Sequence, residues 1–174
     1  MTCDDLTPET IPLVDTNLLV AVGGPENLKY RALRRYVEKR DVVLKVPRRV
    51  EEELSTMQYG DRIETAVEEG WAERIDSPSP TKADAVDAMD FVRREIAHQT
   101  GKDEHEVEKA DTVFAGLAVE FWQVRDAPVA VLTDDRIAAD AIETAVAKQG
   151  YGDAISVFTR DELLGDDDGD LRII

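Results

Sequence analysis

An α/β fold, built on a parallel sheet covered by helices on both faces, is what this sequence predicts. Two observations carry that reading. Short apolar runs such as Val129-Ala130-Val131-Leu132 alternate with longer segments whose apolar residues recur every three to four positions. Such alternation marks parallel strands joined by crossover helices, which are right-handed. The second observation is the placement of acids. Asp15 follows the run Ile11-Pro12-Leu13-Val14, and Asp134-Asp135 follow Val129 to Leu132 through Thr133. A carboxylate just past a buried strand lies at the carboxyl edge of the sheet, where open α/β folds place their ligands.

The elements follow in order. Ile11 to Val14 form the first strand, and Leu18-Leu19-Val20 read as its continuation past the turn Asp15-Thr16-Asn17. Gly23-Gly24-Pro25 break the chain. Asn27 to Lys39 read as a helix, because Leu28, Ala32, Leu33, Tyr36 and Val37 share one face. Val42 to Val46 form the second strand. Pro47 suits the first turn of the next helix, where its missing N–H costs nothing, and Val50, Leu54 and Met57 share that helix's apolar face. Asp61 to Glu69 read as a short helix closed by Gly70, and Trp71 to Ile75 as a short strand. Asp76-Ser77-Pro78-Ser79-Pro80-Thr81 is a loop and a natural lobe boundary.

Lys82 to Gln99 read as a helix with Ala85, Met89, Val92 and Ile96 as its buried stripe, broken by Thr100-Gly101. A further helix starts at Asp103 or soon after and runs to about Val124. Asp126-Ala127-Pro128 turn into the strand Val129 to Leu132. Ile137 to Gln149 form a helix closed by Gly150, Ile155 to Phe158 a last strand, and Asp161 to Leu164 a final helical turn. The expectation is one domain over residues 1–164 and an acidic tail over 165–174.

Composition bounds the function. With 174 residues, 43% of them hydrophobic, the chain is long enough for a real core and too apolar for wholesale disorder. Thirty-eight acids against 21 bases leave a net charge of −17. The acid is dispersed, apart from a dense run at Asp166, Asp167, Asp168 and Asp170, and reads as adaptation to high salt, where screening shortens the Debye length to roughly 3 Å. The balance argues against a generic nucleic-acid binder with a basic face, though not against an enzyme that holds nucleic acid through metal ions. Cys3 is the only cysteine, which excludes an intramolecular disulfide and a cysteine-cluster metal site. Met1 to Thr10 lack the apolar core of a signal peptide, and no apolar run approaches the ~20 residues of a membrane helix, so the expected location is cytoplasmic, with no membrane partner.

Between Asp15 and Asp134-Asp135 come Glu53, in Val50-Glu51-Glu52-Glu53-Leu54 after Pro47, and Asp111, in Lys109-Ala110-Asp111-Thr112-Val113. Helices antiparallel to the strands begin near the carboxyl edge, which brings Glu53 beside Asp15, and Asp111 too if its helix starts near Glu108. Four carboxylates meeting there would repel one another, and a hard divalent cation with oxygen ligands relieves that repulsion. Each acid also has a plain structural reading. Asp15 serves as an Asx-turn residue, Asp111 as a helix-dipole partner, and Asp134 or Asp135 as a cap for the following helix.

In order and spacing, Asp15-Thr16-Asn17, Val46-Pro47 with Glu53-Leu54, Asp111 with Ala115 and Ala118, and Leu132-Thr133-Asp134-Asp135 resemble the PIN-domain family of metal-dependent ribonucleases, including the VapC-type toxins. The resemblance spans residues 11–136 and implies a three-layer α/β/α PIN-like fold with a central parallel sheet of about four or five strands. It implies phosphodiester hydrolysis in RNA at Asp15, Glu53, Asp111 and Asp135, which would hold one or two Mg²⁺ or Mn²⁺ ions. Thr16, Asn17, Thr133 and Asp134 would support them. Arg48, Arg49 and Arg136 flank the acids as candidate phosphate contacts or as ordinary surface charges. His98 and His105 read as surface residues.

Two departures stand out. The chain is longer than the compact toxins through a helical insert at about 76–110, and Arg136-Ile137-Ala138 replace the aspartate–phenylalanine pair that often follows the fourth acid. A toxin with an antitoxin protein partner and a processing nuclease both remain open, as does a catalytically degenerate module that only binds RNA or protein. Resemblance further implies pairing. The local expectation is a homodimer built on the apolar face Tyr30, Leu33, Tyr36 and Val37 together with the insert's helices, where Phe91 adds an aromatic; the alternative is that this face packs on the chain's own sheet.

Overall fold

The computed structural model describes residues 6–76, 79–107 and 109–165. Five strands form one sheet: β1 (Ile11–Val14), β2 (Leu44–Pro47), β3 (Ala72–Ile75), β4 (Val129–Thr133) and β5 (Ile155–Thr159). Their order is β3-β2-β1-β4-β5 and every pairing is parallel. All five residues of β4 are buried, as a strand covered on both faces requires, whereas Glu73 and Arg74 of the edge strand β3 are exposed.

Eight helices surround the sheet among the described residues: α1 (Thr16–Val22), α2 (Leu28–Lys39), α3 (Arg48–Thr56), α4 (Asp61–Glu68), α5 (Ala83–Thr100), α6 (Lys109–Arg125), α7 (Arg136–Lys148) and α8 (Arg160–Leu164). Right-handed crossovers put α1 to α4 on one face and α5 to α7 on the other. The packing agrees: α1 lies against α2 and α3, α8 against α2, and α5 against both α6 and α7. This is the expected α/β sandwich. No described helix is long and apolar enough to cross a membrane.

One continuous core joins both faces, from Leu18, Leu33 and Leu54 through Leu13 and Leu132 to Val92 and Ile142. The segment expected as an insert therefore contributes to the main core through Ala85, Ala88, Val92, Ile96 and Ala97. Helix α6 is buried nearly all round (Val113, Phe114, Ala115, Leu117, Ala118 and Val119). Its Gly116 allows the close approach of α5, because a Cβ there would lie 2.5 Å from Met89 Sδ and 2.8 Å from Pro80 Cγ.

Several expectations need correction. Leu18-Leu19-Val20 do not prolong the first strand; they lie in α1, where Leu18, Leu19 and Val22 face the core. The helix wins because Asp15 caps it, its side chain accepting the Thr16 N–H. Pro47 ends β2 and sits at the N-cap, one residue before the helix. Met57 leaves the apolar face of α3 and is exposed, because the helix has already ended. The single helix from Asp103 is two pieces. A 3-10 turn at Glu104–Glu106 is closed by a capping box between Asp103 and Glu106, and α6 begins only at Lys109. The expected dimer face on α2 is also overturned: Tyr30, Leu33, Tyr36 and Val37 are at most 8% exposed and pack inside their own chain. The acidic run Asp166 to Asp170 lies outside the described residues.

Candidate functional site

The order of the strands defines the site. From β1 the chain moves outward to β2 and β3, then returns to the other side of β1 with β4 and β5. The direction therefore reverses between β1 and β4, and the loops leaving those two strands diverge at their carboxyl ends. Such a switch point opens the crevice where doubly wound sheets bind ligands. Asp15 leaves β1 there, and Thr133-Asp134-Asp135 leave β4.

A small network holds Asp15. Its Oδ1 accepts the Thr16 backbone N–H at 2.7 Å, and its Oδ2 faces the Thr133 hydroxyl at 3.1 Å. The same hydroxyl lies 3.0 Å from Asn17 Oδ1, which also accepts the Asp134 backbone N–H at 2.8 Å. Thr133 has one proton, so Asp15 and Asn17 share it. Its oxygen in turn accepts the Asp135 backbone N–H at 3.2 Å. Asn17 thus staples the β1 turn to the β4 turn. Across the edge, the Thr16 hydroxyl donates to Glu53 Oε2 at 2.7 Å, which ties α1 to the second turn of α3. Asp111 stands in the first turn of α6, the position expected if that helix starts near residue 108.

Burial pushes the Asp15 carboxyl up to about 7, against the opposing hydrogen bonds from Thr133 and Thr16; the negative charges of Asp111 and Glu53 raise it further. Three acids from distant parts of the chain are therefore electrostatically coupled at one edge. The β4 acids are engaged differently. Asp135 caps α7, its Oδ1 accepting the Ala138 N–H at 3.0 Å, and Asp134 pairs with Arg160 at 3.3 Å.

Of the candidate phosphate contacts, Arg48 is exposed and pairs with Glu52 at 3.2 Å. Arg49 shares an open cleft with Glu52, Glu53 and Thr56. Arg136 is exposed and faces Asp161. The structure adds a cation that sequence reading passed over, Arg160, the first residue beyond β5. Only the pairing of β5 with β4 brings the residue after β5 to this edge, and no local sequence signal shows it.

Among the described residues, the three acid or histidine side chains whose ligating atoms all lie within 4.8 Å of one another are Asp103, His105 and Glu106, all exposed on the 3-10 turn. Their spacing in the sequence was visible but unremarked. The edge acids Asp15, Glu53 and Asp111 stand farther apart than that.

A family model described as Halobacterial PIN domain matches residues 8–172. No curated protein and no solved structure matches the chain.

Proposed function

The chain belongs to the halobacterial PIN-domain family, and from that premise we propose that it is a metal-dependent ribonuclease that hydrolyses RNA phosphodiester bonds at the β1–β4 edge. PIN domains have a nuclease-type fold, commonly bind RNA and usually bind divalent metals. The observation that supports the finer reading is Asp15. It is a carboxyl at the switch point, oriented by Thr16 and Thr133, with Glu53 and Asp111 near enough to raise its pKa.

The donors suit a hard divalent cation. All are oxygens, and their mutual repulsion falls when positive charge stands among them. In this reading Asp15, Glu53 and Asp111 hold Mg²⁺ or Mn²⁺, with Asp135 contributing from the mouth of α7. When bound, such an ion neutralises phosphate charge and acidifies a water at the site. The chain's own residues do the positioning. Thr133 and Asn17 fix the turn geometry, Thr16 aims Glu53, and Asp134 with Arg160 balances charge at the rim. Arg48, Arg49 and Arg136 stand where RNA phosphates would pass. A toxin restrained by an antitoxin and a processing nuclease would use this same edge; in the first case the antitoxin is a protein that covers it.

The test is cleavage of single-stranded RNA by the full chain in molar KCl with Mn²⁺ or Mg²⁺. Cleavage should vanish with excess chelator and in Asp15→Asn. Cleavage undiminished in that variant overturns the assignment.

A further inference from the structure

Positive charge gathers on α2 in a chain of net charge −17. Five Lys and Arg residues and one acid, Glu38, occupy its twelve positions, whereas the whole chain has 21 bases and 38 acids. Arg34 is engaged internally, with Glu38 at 2.8 Å and with Glu69. Arg31, Arg35 and Lys39 are exposed, and among the described residues their side chains make no ion pair or hydrogen bond. At i, i+4 and i+8 they stand in a row, about 6 Å apart along the helix axis. The opposite face of α2 is locked in the core by Tyr30, Leu33, Tyr36 and Val37, so the row cannot turn inward. Arg31 and Arg35 also line an open cleft with Thr65 and Glu69, beside α4.

The row runs from Arg31, on the side nearer the acidic edge, toward Lys39, close to the start of β2 at the opposite end of the sheet. Helix α2 packs against α1, which begins at Asp15, and against α8, whose Arg160 pairs with Asp134. Net charge is no obstacle to a polyanion here. In molar salt the Debye length is roughly 3 Å, so a phosphate responds to the cations it touches rather than to the distant −17. The fully buried centre of a protein interface is enriched in apolar and aromatic side chains and depleted in charge. On α2 the only exposed large apolar side chain among the described residues is Leu28, at the start of the helix.

We propose that Arg31, Arg35 and Lys39 bind the phosphodiester backbone of single-stranded RNA and hold the strand that is cut at the acidic edge. This rests on the ribonuclease reading. The test is fluorescence anisotropy of end-labelled RNA with the full chain, in excess chelator, from about 0.5 to 2 M KCl. Arg31→Gln/Arg35→Gln/Lys39→Gln should weaken binding about tenfold at the lowest salt. It should also lower the slope of log affinity against log salt by about 2, since each phosphate contact to a single strand contributes roughly 0.7.

The control Arg94→Gln/Lys102→Gln/Arg125→Gln removes the same charge from exposed positions on other elements and should leave both unchanged; circular dichroism confirms that both variants fold. Unchanged RNA affinity in the α2 variant overturns the inference. So does an equal loss in the control, or competition by polyglutamate as effective as by RNA, which would mark a surface for acidic proteins. Cleavage is read separately with Mn²⁺. Cleavage with α2-independent binding sinks this inference and spares the nuclease; α2-dependent binding without cleavage does the reverse.

Discussion

Asp15→Asn should stabilise the metal-free protein, and increasingly so as pH rises. The wild-type carboxyl titrates near 7 in the folded chain, against an ordinary value of 3.8. Below about pH 4 both states hold the proton and the group contributes nothing. Between about 4 and 7 the folded chain keeps a proton that the unfolded chain has released, so stability falls with rising pH. Above 7 the whole cost is felt: about three units at 1.36 kcal/mol each, or roughly 4 kcal/mol. An amide carries no charge to desolvate. It retains an oxygen for the Thr16 N–H, and Thr133 can turn its proton fully to Asn17 and accept from the new amide. The gap between variant and wild type should therefore widen by about 2–3 kcal/mol from pH 5 to pH 8. The assay is urea unfolding in molar KCl with excess chelator at both pH values. A constant gap, or a variant less stable than wild type at pH 8, refutes the reasoning.

Three other outcomes are expected. Thr133→Val strands the Asp135 N–H and takes the hydroxyl proton from Asp15 Oδ2, while Asn17 Oδ1 keeps the Asp134 N–H, and should cost about 1–3 kcal/mol in the same urea assay; a cost near zero would show that the network does not hold the edge. Gly116→Ala should destabilise by up to about 2 kcal/mol, the overpacking against Met89 and Pro80 exceeding the ~1 kcal/mol that alanine gains in a helix; a stabilised variant would mean that α5 shifts freely. The melting temperature should rise with salt, alike in NaCl and KCl and mostly below about 1 M, if screening of surface acid is the cause; continued gains above that point to salting-out of apolar surface.

What could be read from the sequence was local. Buried strands announce themselves as short apolar runs, so β1, β2, β4 and β5 were visible, and the acids after β1 and β4 came with them; β3, with Glu73 and Arg74 exposed, is not such a run. Glu53 and Asp111 were placed by the rule that crossover helices start at the carboxyl edge. The misses have physical causes. Seven residues are too few for helical periodicity to show, so Leu18-Leu19-Val20 read as strand although Asp15 was in place to cap a helix. A periodic apolar face says that a helix buries one side, not what covers it, hence the mistaken dimer surface on α2. Strand order depends on pairings between residues more than a hundred positions apart, such as Leu13 with Val131. The reversal between β1 and β4, and with it the place of Arg160, could not be seen before those pairings were known.

The central claim is that the acids at the β1–β4 edge hold a divalent cation, and calorimetric titration of the metal-free protein with Mn²⁺ in molar KCl tests it most directly. Wild type should bind, Asp15→Asn/Asp111→Asn should not, and Asp103→Asn/His105→Gln/Glu106→Gln should bind as wild type does. Binding that survives loss of Asp15 and Asp111 but disappears with the exposed 3-10 turn would contradict the account.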